Sequence, residues 1–198
     1  MQDGRVLLFD LGGVLVESVG QAALKRLLPH LAETEILARW LDSSAVGQFE
    51  RGAVSANEFA HLFLAEWQLH LEPSQFLSEF SSWVKGFFPG ASRLLSHLRA
   101  RHVVGCLSNT NAVHWIQLDD VRAAFDVCIA SHLTGHMKPD RAAFEHALQS
   151  LGIEAGRVYY FDDLLSNVVA ARGLGINAFH VRGLDETENT LQRLDFAT

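Results

Sequence analysis

Short apolar runs, separated by polar and periodic stretches, set the architecture of this chain. Val6–Asp10, Val103–Ser108, Val127–Ala130, Val158–Asp162 and Asn177–Val181 each read as a strand. Val6 to Phe9 is continuous in apolar character rather than alternating, as a strand covered on both faces is. Helical stretches separate the last four: part of His114–Phe125, then Arg141–Leu151 and Leu165–Leu174. This alternation predicts βαβ units and a parallel sheet.

The pattern changes between the first strand and the second. From about Ser18 to Gly86 no strand is expected; amphipathic helical segments follow one another at Ala22–Leu31, Glu33–Leu41, Ala56–Leu69 and Ser74–Val84. Pro29, Gly47, Gly52 and Pro73 mark the breaks between them. Ser18 is placed to cap the first helix, and Ser55 the third, with Glu58 completing a capping box. FFPGASRLLSHLRA then turns the chain into a new helix and back to the α/β part. The expected division is residues 1–17 and 87–198 as an α/β core, with 18–86 as an inserted unit of about four helices. From about Asp185 the polar tail is expected to form one short surface helix.

Composition narrows the function classes. A chain of 198 residues with 48% hydrophobic and 20% charged residues is long enough for one well-buried core. Its net charge of −7 argues against nonspecific binding to nucleic acid or to an anionic membrane surface. No apolar run approaches the roughly 20 residues that span a bilayer, and MQDGRVLLFD lacks the basic start and cleavage site of a signal peptide. Cys106 and Cys128 each sit in an apolar run and read as reduced core residues, so the expected address is cytoplasmic. Nothing in the sequence sets an oligomeric state.

The chemistry lies at the strand ends. The first strand stops on Asp10 and turns through Gly12-Gly13; the second stops on Ser108, followed by Asn109. Lys138 follows the third strand, and the fourth ends on Asp162-Asp163, with Asn167 about one helical turn on. In an open parallel sheet these positions share the carboxyl edge, where ligands bind. Three carboxylates, a hydroxyl and an ammonium together are costly without a compensating cation. Singly each has a plainer reading: a turn, a helix cap, a surface charge. Together they suit phosphoryl transfer, with Asp10 attacking phosphorus to form an aspartyl-phosphate. Asp10, Asp163 and the Gly12 carbonyl would then hold Mg²⁺. Ser108, the Asn109 amide and Lys138 would hold the phosphate, and Asp162 and Asn167 would orient metal waters and Lys138.

FDLGGVLVES, LSNTN, GHMKPD and YYFDDLLSNVVAARGLGI resemble, in order, the four motifs of the haloacid dehalogenase-like hydrolase superfamily. LSNTNAVHW and DLGGV are most similar to its α-glucose-1-phosphate phosphatase branch, related to the N-terminal phosphatase domain of soluble epoxide hydrolase. The resemblance implies a three-layer, Rossmann-like α/β core with a parallel sheet, Mg²⁺ dependence, and a small helical cap that closes over the substrate. The function it implies is hydrolysis of a small phosphorylated metabolite, a sugar phosphate first of all.

One position departs from that family. Most of its phosphatases carry a second Asp two residues after the nucleophile, which protonates the leaving oxygen and later activates water. Here Gly12 stands there. Either a side chain from the cap or a water moves that proton, or the substrate has a good leaving group, or the chain is a noncatalytic relative that binds a phosphorylated ligand. A 2-haloacid dehalogenase is the third alternative; the Asp162-Asp163 pair speaks for a metal instead. In the inserted helices Trp40, Trp67 and Trp83 read as packing residues, and His114 and Trp115 as core or surface. His132 and His136 flank the Lys138 loop without metal-ligand spacing. Glu17 reads as first-turn helix stabilisation, and Arg51, in QFERGAVS, as a candidate substrate contact.

Overall fold

The computed structural model describes residues 4–196; residues 1–3 and 197–198 of the expected core lie outside that range. All five expected strands form: β1 (Val6–Phe9), β4 (Val103–Ser108), β5 (Val127–Ala130), β6 (Val158–Asp162) and β7 (Asn177–His180). They make one parallel sheet in the order β5-β4-β1-β6-β7, with β1 at its centre. Their side chains part by a period of two. Leu7, Phe9, Val104, Cys106 and Phe161 enter one apolar cluster; Val6, Leu8, Leu107, Tyr160 and Ala178 enter another on the opposite face. Helix α6 (Ala91–Arg99) covers the first face, and α10 (Arg141–Leu151) and α11 (Leu165–Arg172) cover the second. The chain is therefore a three-layer α/β fold.

Register carries the sheet's consequence for the site. Phe9 pairs with Cys106 on one side and Phe161 on the other, and the Asp10 amide donates to the Phe161 carbonyl at 2.9 Å. The residues one step further on, Asp10, Leu107 and Asp162, thus stand side by side at the carboxyl edge.

Five helices, not four, fill the stretch after β1: α1 (Gly20–Leu27), α2 (Glu33–Asp42), α3 (Ser44–Glu50), α4 (Ala56–Trp67) and α5 (Pro73–Ser81). The extra helix runs through Gly47, one of the expected breaks; Ser43 caps it by accepting from the Val46 amide at 3.2 Å. A single glycine costs a helix only about 1 kcal/mol, less than its packing supplies. The Ser55 capping box forms as expected, Glu58 N–H to Ser55 Oγ at 3.3 Å and Ser55 N–H to Glu58 Oε2 at 2.8 Å. The five helices bury a core of their own, with Phe49 stacked on Phe59 and Phe63 on Phe76.

Ser18 does not cap the first helix; Val19 takes that position, and Ser18 lies in a strand. That strand, β2 (Val16–Ser18), pairs antiparallel with β3 (Val84–Phe87), a ribbon the apolar pattern did not predict. The expected fourth helix stops at Ser81 rather than Val84 for the same reason. Glu17 lies in β2, opposite Gly86 and exposed, so it does not stabilise a helix start. The expected helix over His114–Phe125 is split into α7 (Ala112–Gln117) and α8 (Asp119–Arg122), after which α9 (Ser131–Thr134) follows β5. The tail helix α12 (Gly183–Arg193) starts before Asp185 and buries Thr187 and Leu191, so it belongs to the core's outer layer. No helix of the described residues is long and apolar enough to cross a membrane.

Candidate active site

At the carboxyl edge one buried ammonium is shared among three strand ends. Lys138 Nζ donates to Asp10 Oδ1 at 2.7 Å, to Asp162 Oδ2 at 2.8 Å and to the Leu107 carbonyl at 2.8 Å. Those three bonds use all its hydrogens, so it acts on a neighbouring anion through its charge. Asn109 fixes the lysine's backbone: its Nδ2 donates to the Lys138 carbonyl at 2.8 Å and its Oδ1 accepts from the Lys138 amide at 2.9 Å. The Asn109 side chain is thereby occupied with the loop. Ser108 is buried beside it at the end of β4.

Asp162 is saturated. Besides Lys138 it accepts from the Leu164 amide at 2.8 Å, from Asn167 Nδ2 at 3.0 Å and from the Tyr160 hydroxyl. Its hydrogen bond with Lys138 fixes that side chain. Asn167 touches Asp162 and not Lys138, and its Oδ1 is buried without a partner.

Oxygens of Asp10, Asp162 and Asp163 lie within 4.8 Å of one another. Since Asp162 is engaged, Asp10 and Asp163 have oxygens to offer. Among the described residues no hydrogen bond reaches the Gly12 carbonyl. A hard oxygen donor set of this kind fits a small divalent cation. The electrostatics agree: burial, opposed by Lys138 and reinforced by Asp162 and Asp163, pushes the Asp10 carboxyl up to about 7. Burial and the Asp162 charge also raise Asp163. Burial lowers the Lys138 pKa, but Asp10 and Asp162 outweigh it and the net shift is upward.

A cavity of about 260 Å³ opens over this edge, between the sheet and helices α1 to α3. Gly12, Ser108, Asn109 and Thr110 form its floor, and Leu24, Ile36, Leu37, Trp40 and Trp83 much of its wall. Trp40 and Trp83 line it and also pack in the core of the inserted helices, as Trp67 does without reaching the cavity. His114 also lines it, held by Nε2 to the Phe80 carbonyl at 2.8 Å. Arg51 is turned to Asp140 at 3.0 Å, tying the end of α3 to the loop after Lys138.

The residue that the sequence did not single out is Glu50, next to Arg51. It lines the cavity, is only 9% exposed, and makes no hydrogen bond or ion pair among the described residues. Burial, then the Asp10 charge, push its carboxyl up to about 7 against Lys138 and Arg51. A signal was available: Val46, Phe49 and Glu50 recur at i, i+3 and i+4, so a carboxylate sits on the apolar face of α3.

Comparison with known proteins places this geometry in context. A family profile for haloacid dehalogenase-like hydrolases matches residues 5–175. Acyl-CoA dehydrogenase family member 10 of Mus musculus is 30% identical over 207 residues, covering 96% of this chain; the chain spans only 19% of that relative. Sesquiterpene phosphatase astK of Aspergillus oryzae is 28% identical over 183 residues, with 89% of each chain covered. Among solved structures, the HAD family enzyme bt-2542 of Bacteroides thetaiotaomicron superposes with a TM-score of 0.78 at 23% identity, over 96% of this chain and 98% of that one. The same enzyme has been solved in complex with magnesium and inorganic phosphate, with a TM-score of 0.75, 24% identity, and 90% and 94% covered. At this identity the structural likeness speaks for the fold.

Proposed function

We propose, for a chain that belongs to the haloacid dehalogenase-like hydrolase family, a Mg²⁺-dependent phosphomonoester hydrolase whose nucleophile is Asp10. The observation that carries this is the meeting of Asp10, Asp163 and Lys138 at one edge of the sheet, under a cavity floored by Ser108 and Asn109. Asp10, paired through Oδ1 with Lys138, attacks phosphorus with its other oxygen, and the Asn109 amide and Ser108 hydroxyl hold phosphate oxygens. Held by Asp10, Asp163 and the Gly12 carbonyl, Mg²⁺ would offset the negative charge on the transferring phosphoryl group. Lys138, positioned by Asp162 and Asn109, keeps Asp10 aimed and favours its anionic form against burial. Residues 18–86 act as a cap over residues 1–17 and 87–198, the cavity between them being closed by side chains of α1, α2 and α3. The expected cytoplasmic address belongs to the same reading, and the free thiols of Cys106 and Cys128 suit a reducing compartment.

The cavity wall bears on the substrate. A sugar phosphate asks for hydroxyl-binding side chains, yet Leu24, Ile36, Leu37, Trp40 and Trp83 face the space beside the phosphate site. A small phosphate ester with an apolar leaving group fits those walls better, and a relative named as a sesquiterpene phosphatase accords with that. The experiment is phosphate release from sugar phosphates, aryl phosphates and a prenyl phosphate, with Mg²⁺ and with chelator, beside Asp10→Asn. Turnover that requires both Mg²⁺ and Asp10 is expected. Turnover retained in Asp10→Asn would remove the nucleophile, and saturable phosphate binding without turnover would make the chain a binding protein.

A further inference from the structure

The missing acid-base group leaves a gap that the structure locates. At Gly12 nothing lies within 4 Å of where a Cβ would stand, so the space over the nucleophile on that side is open. The cavity that contains this space is bounded by a single carboxyl group among its lining residues, that of Glu50, which comes from α3. Glu50 is buried, unlike a surface glutamate, and no donor among the described residues engages it.

Resting on the phosphatase reading above, we propose that Glu50 is the proton donor and acceptor of the reaction, supplied from the inserted helices instead of from the turn after the nucleophile. In the first step an Asp10 oxygen bonds to phosphorus and the bond from phosphorus to the leaving oxygen breaks. The Glu50 proton passes to that oxygen, so the product leaves as a neutral alcohol. In the second step Glu50, now a carboxylate, takes a proton from water. The resulting hydroxide bonds to phosphorus and the bond to Asp10 breaks, releasing inorganic phosphate and restoring both carboxyl groups. One water is consumed per ester, and no other reactant is needed.

The surroundings suit a group that must both give and take a proton. Asp10, Lys138 and Arg51 are the charged groups that act on Glu50, and His114 shares the cavity wall. The net effect of its burial and of Asp10 is to hold its proton into the neutral range. A donor poised near the working pH is the effective one. Two contacts hold the end of α3 where the carboxyl faces the site. Arg51 pairs with Asp140 at 3.0 Å, and Gly52 packs directly against the His132 carbonyl.

The test is the leaving-group dependence of kcat/KM, which reports the steps through release of the alcohol. A series from nitrophenyl to phenyl to alkyl phosphates is run on wild type, Glu50→Gln and Glu50→Asp. Glu50→Gln is expected to lose about 10²–10⁴-fold on alkyl esters, and far less on the nitrophenyl ester, whose phenolate departs without a proton. Glu50→Asp, which keeps an acid on a shorter arm, regains part of the loss, and regains most on the poorest leaving groups. Should Glu50→Gln not fold, the same tilt in Glu50→Asp supports the assignment. A loss equal across the series in either variant, or no loss, overturns the role of Glu50 and leaves the phosphatase standing. A wild type inert on every ester overturns both.

Discussion

Lys138 Nζ lies 2.7 Å from Asp10 Oδ1 and 2.8 Å from Asp162 Oδ2, so one buried ammonium joins the ends of two neighbouring strands. Lys138 and Asp162 are almost fully enclosed. Removing one partner of such a group leaves buried charge without compensation, which costs about 3–5 kcal/mol. Lys138→Met is therefore expected to destabilise the fold by that order in urea unfolding. Because the stranded carboxylates can be offset by another cation, added Mg²⁺ should stabilise this variant more than the wild type. Equal stability of variant and wild type would show that the carboxylates are not charged together.

The two glycines after Asp10 differ in what they permit. Gly12 has open space at its Cβ position, while Gly13 has φ +73° and its Cβ would stand 2.4 Å from Asp163 Oδ2. Gly12→Ala should change stability by no more than about 0.5 kcal/mol, as a substitution without a clash does. Gly13→Ala should be strained and should push Asp163 aside. Its half-saturating Mg²⁺ concentration is expected to rise about 10–100-fold, the range seen when a ligand's support is lost. Mg²⁺ titrations of phosphate release on both variants check this, and equal half-saturation would remove Asp163 from the metal site.

How much of this was legible beforehand follows from the kind of signal each part leaves. The central strands β1, β4 and β6 were readable because they are largely covered on both faces and so are mostly apolar, and the edge strands β5 and β7 because they alternate with helices. Once they pair in parallel, Asp10, Ser108 and Asp162 must share an edge, and the site follows from the strand ends. The β2–β3 ribbon was not readable: its strands have three and four residues, are partly exposed, and include Gly86 at φ +101°. Gly47 misled because a helix interior tolerates one glycine when its neighbours Val46 and Phe49 are buried. Glu50 was hidden by its neighbour, since a charged residue beside Arg51 in a glycine-containing loop reads as surface. The i, i+3, i+4 recurrence of Val46, Phe49 and Glu50 shows its side of α3 only once α3 is read as a helix, and Gly47 argued against that reading.

The contact that holds the end of α3 against the core gives the third prediction. Gly52 has φ +70°, and a Cβ there would stand 2.3 Å from the His132 carbonyl oxygen. Two backbones meet at this point, so neither can yield by turning a side chain. Gly52→Ala is expected to cost about 1–3 kcal/mol, the range for a residue held in a disfavoured conformation. It should also move the end of α3, and Glu50 with it, off the site. Thermal unfolding and phosphate release should therefore both fall. A variant that loses stability but keeps the wild-type kcat/KM would mean that the position of α3 does not matter for turnover.

His114 supplies a pH dependence whose sign can be worked out. Its amide donates to Asn111 Oδ1 at 3.0 Å, which fixes that amide group and turns Asn111 Nδ2 toward His114 Nδ1 at 3.2 Å. Nδ1 must then accept, and Nε2–H donates to the Phe80 carbonyl at 2.8 Å. A second proton on Nδ1 would face a donor in a buried place, and burial lowers the His114 pKa to about 4 from 6.5. The unfolded chain thus binds a proton that the folded chain refuses between about pH 4 and 6.5. Stability from this group is present in full above pH 6.5 and is lost as pH falls toward 4, by about 3 kcal/mol in all at roughly 1.4 kcal/mol per unit. Glu50 and Asp10, with raised carboxyl pKa values, work in the opposite sense over part of this range, so the wild-type profile mixes the two. Comparison with His114→Phe separates them. Urea unfolding from pH 4 to 7.5 should show the variant losing less stability on acidification than the wild type, and parallel profiles would show that His114 is protonated in the fold.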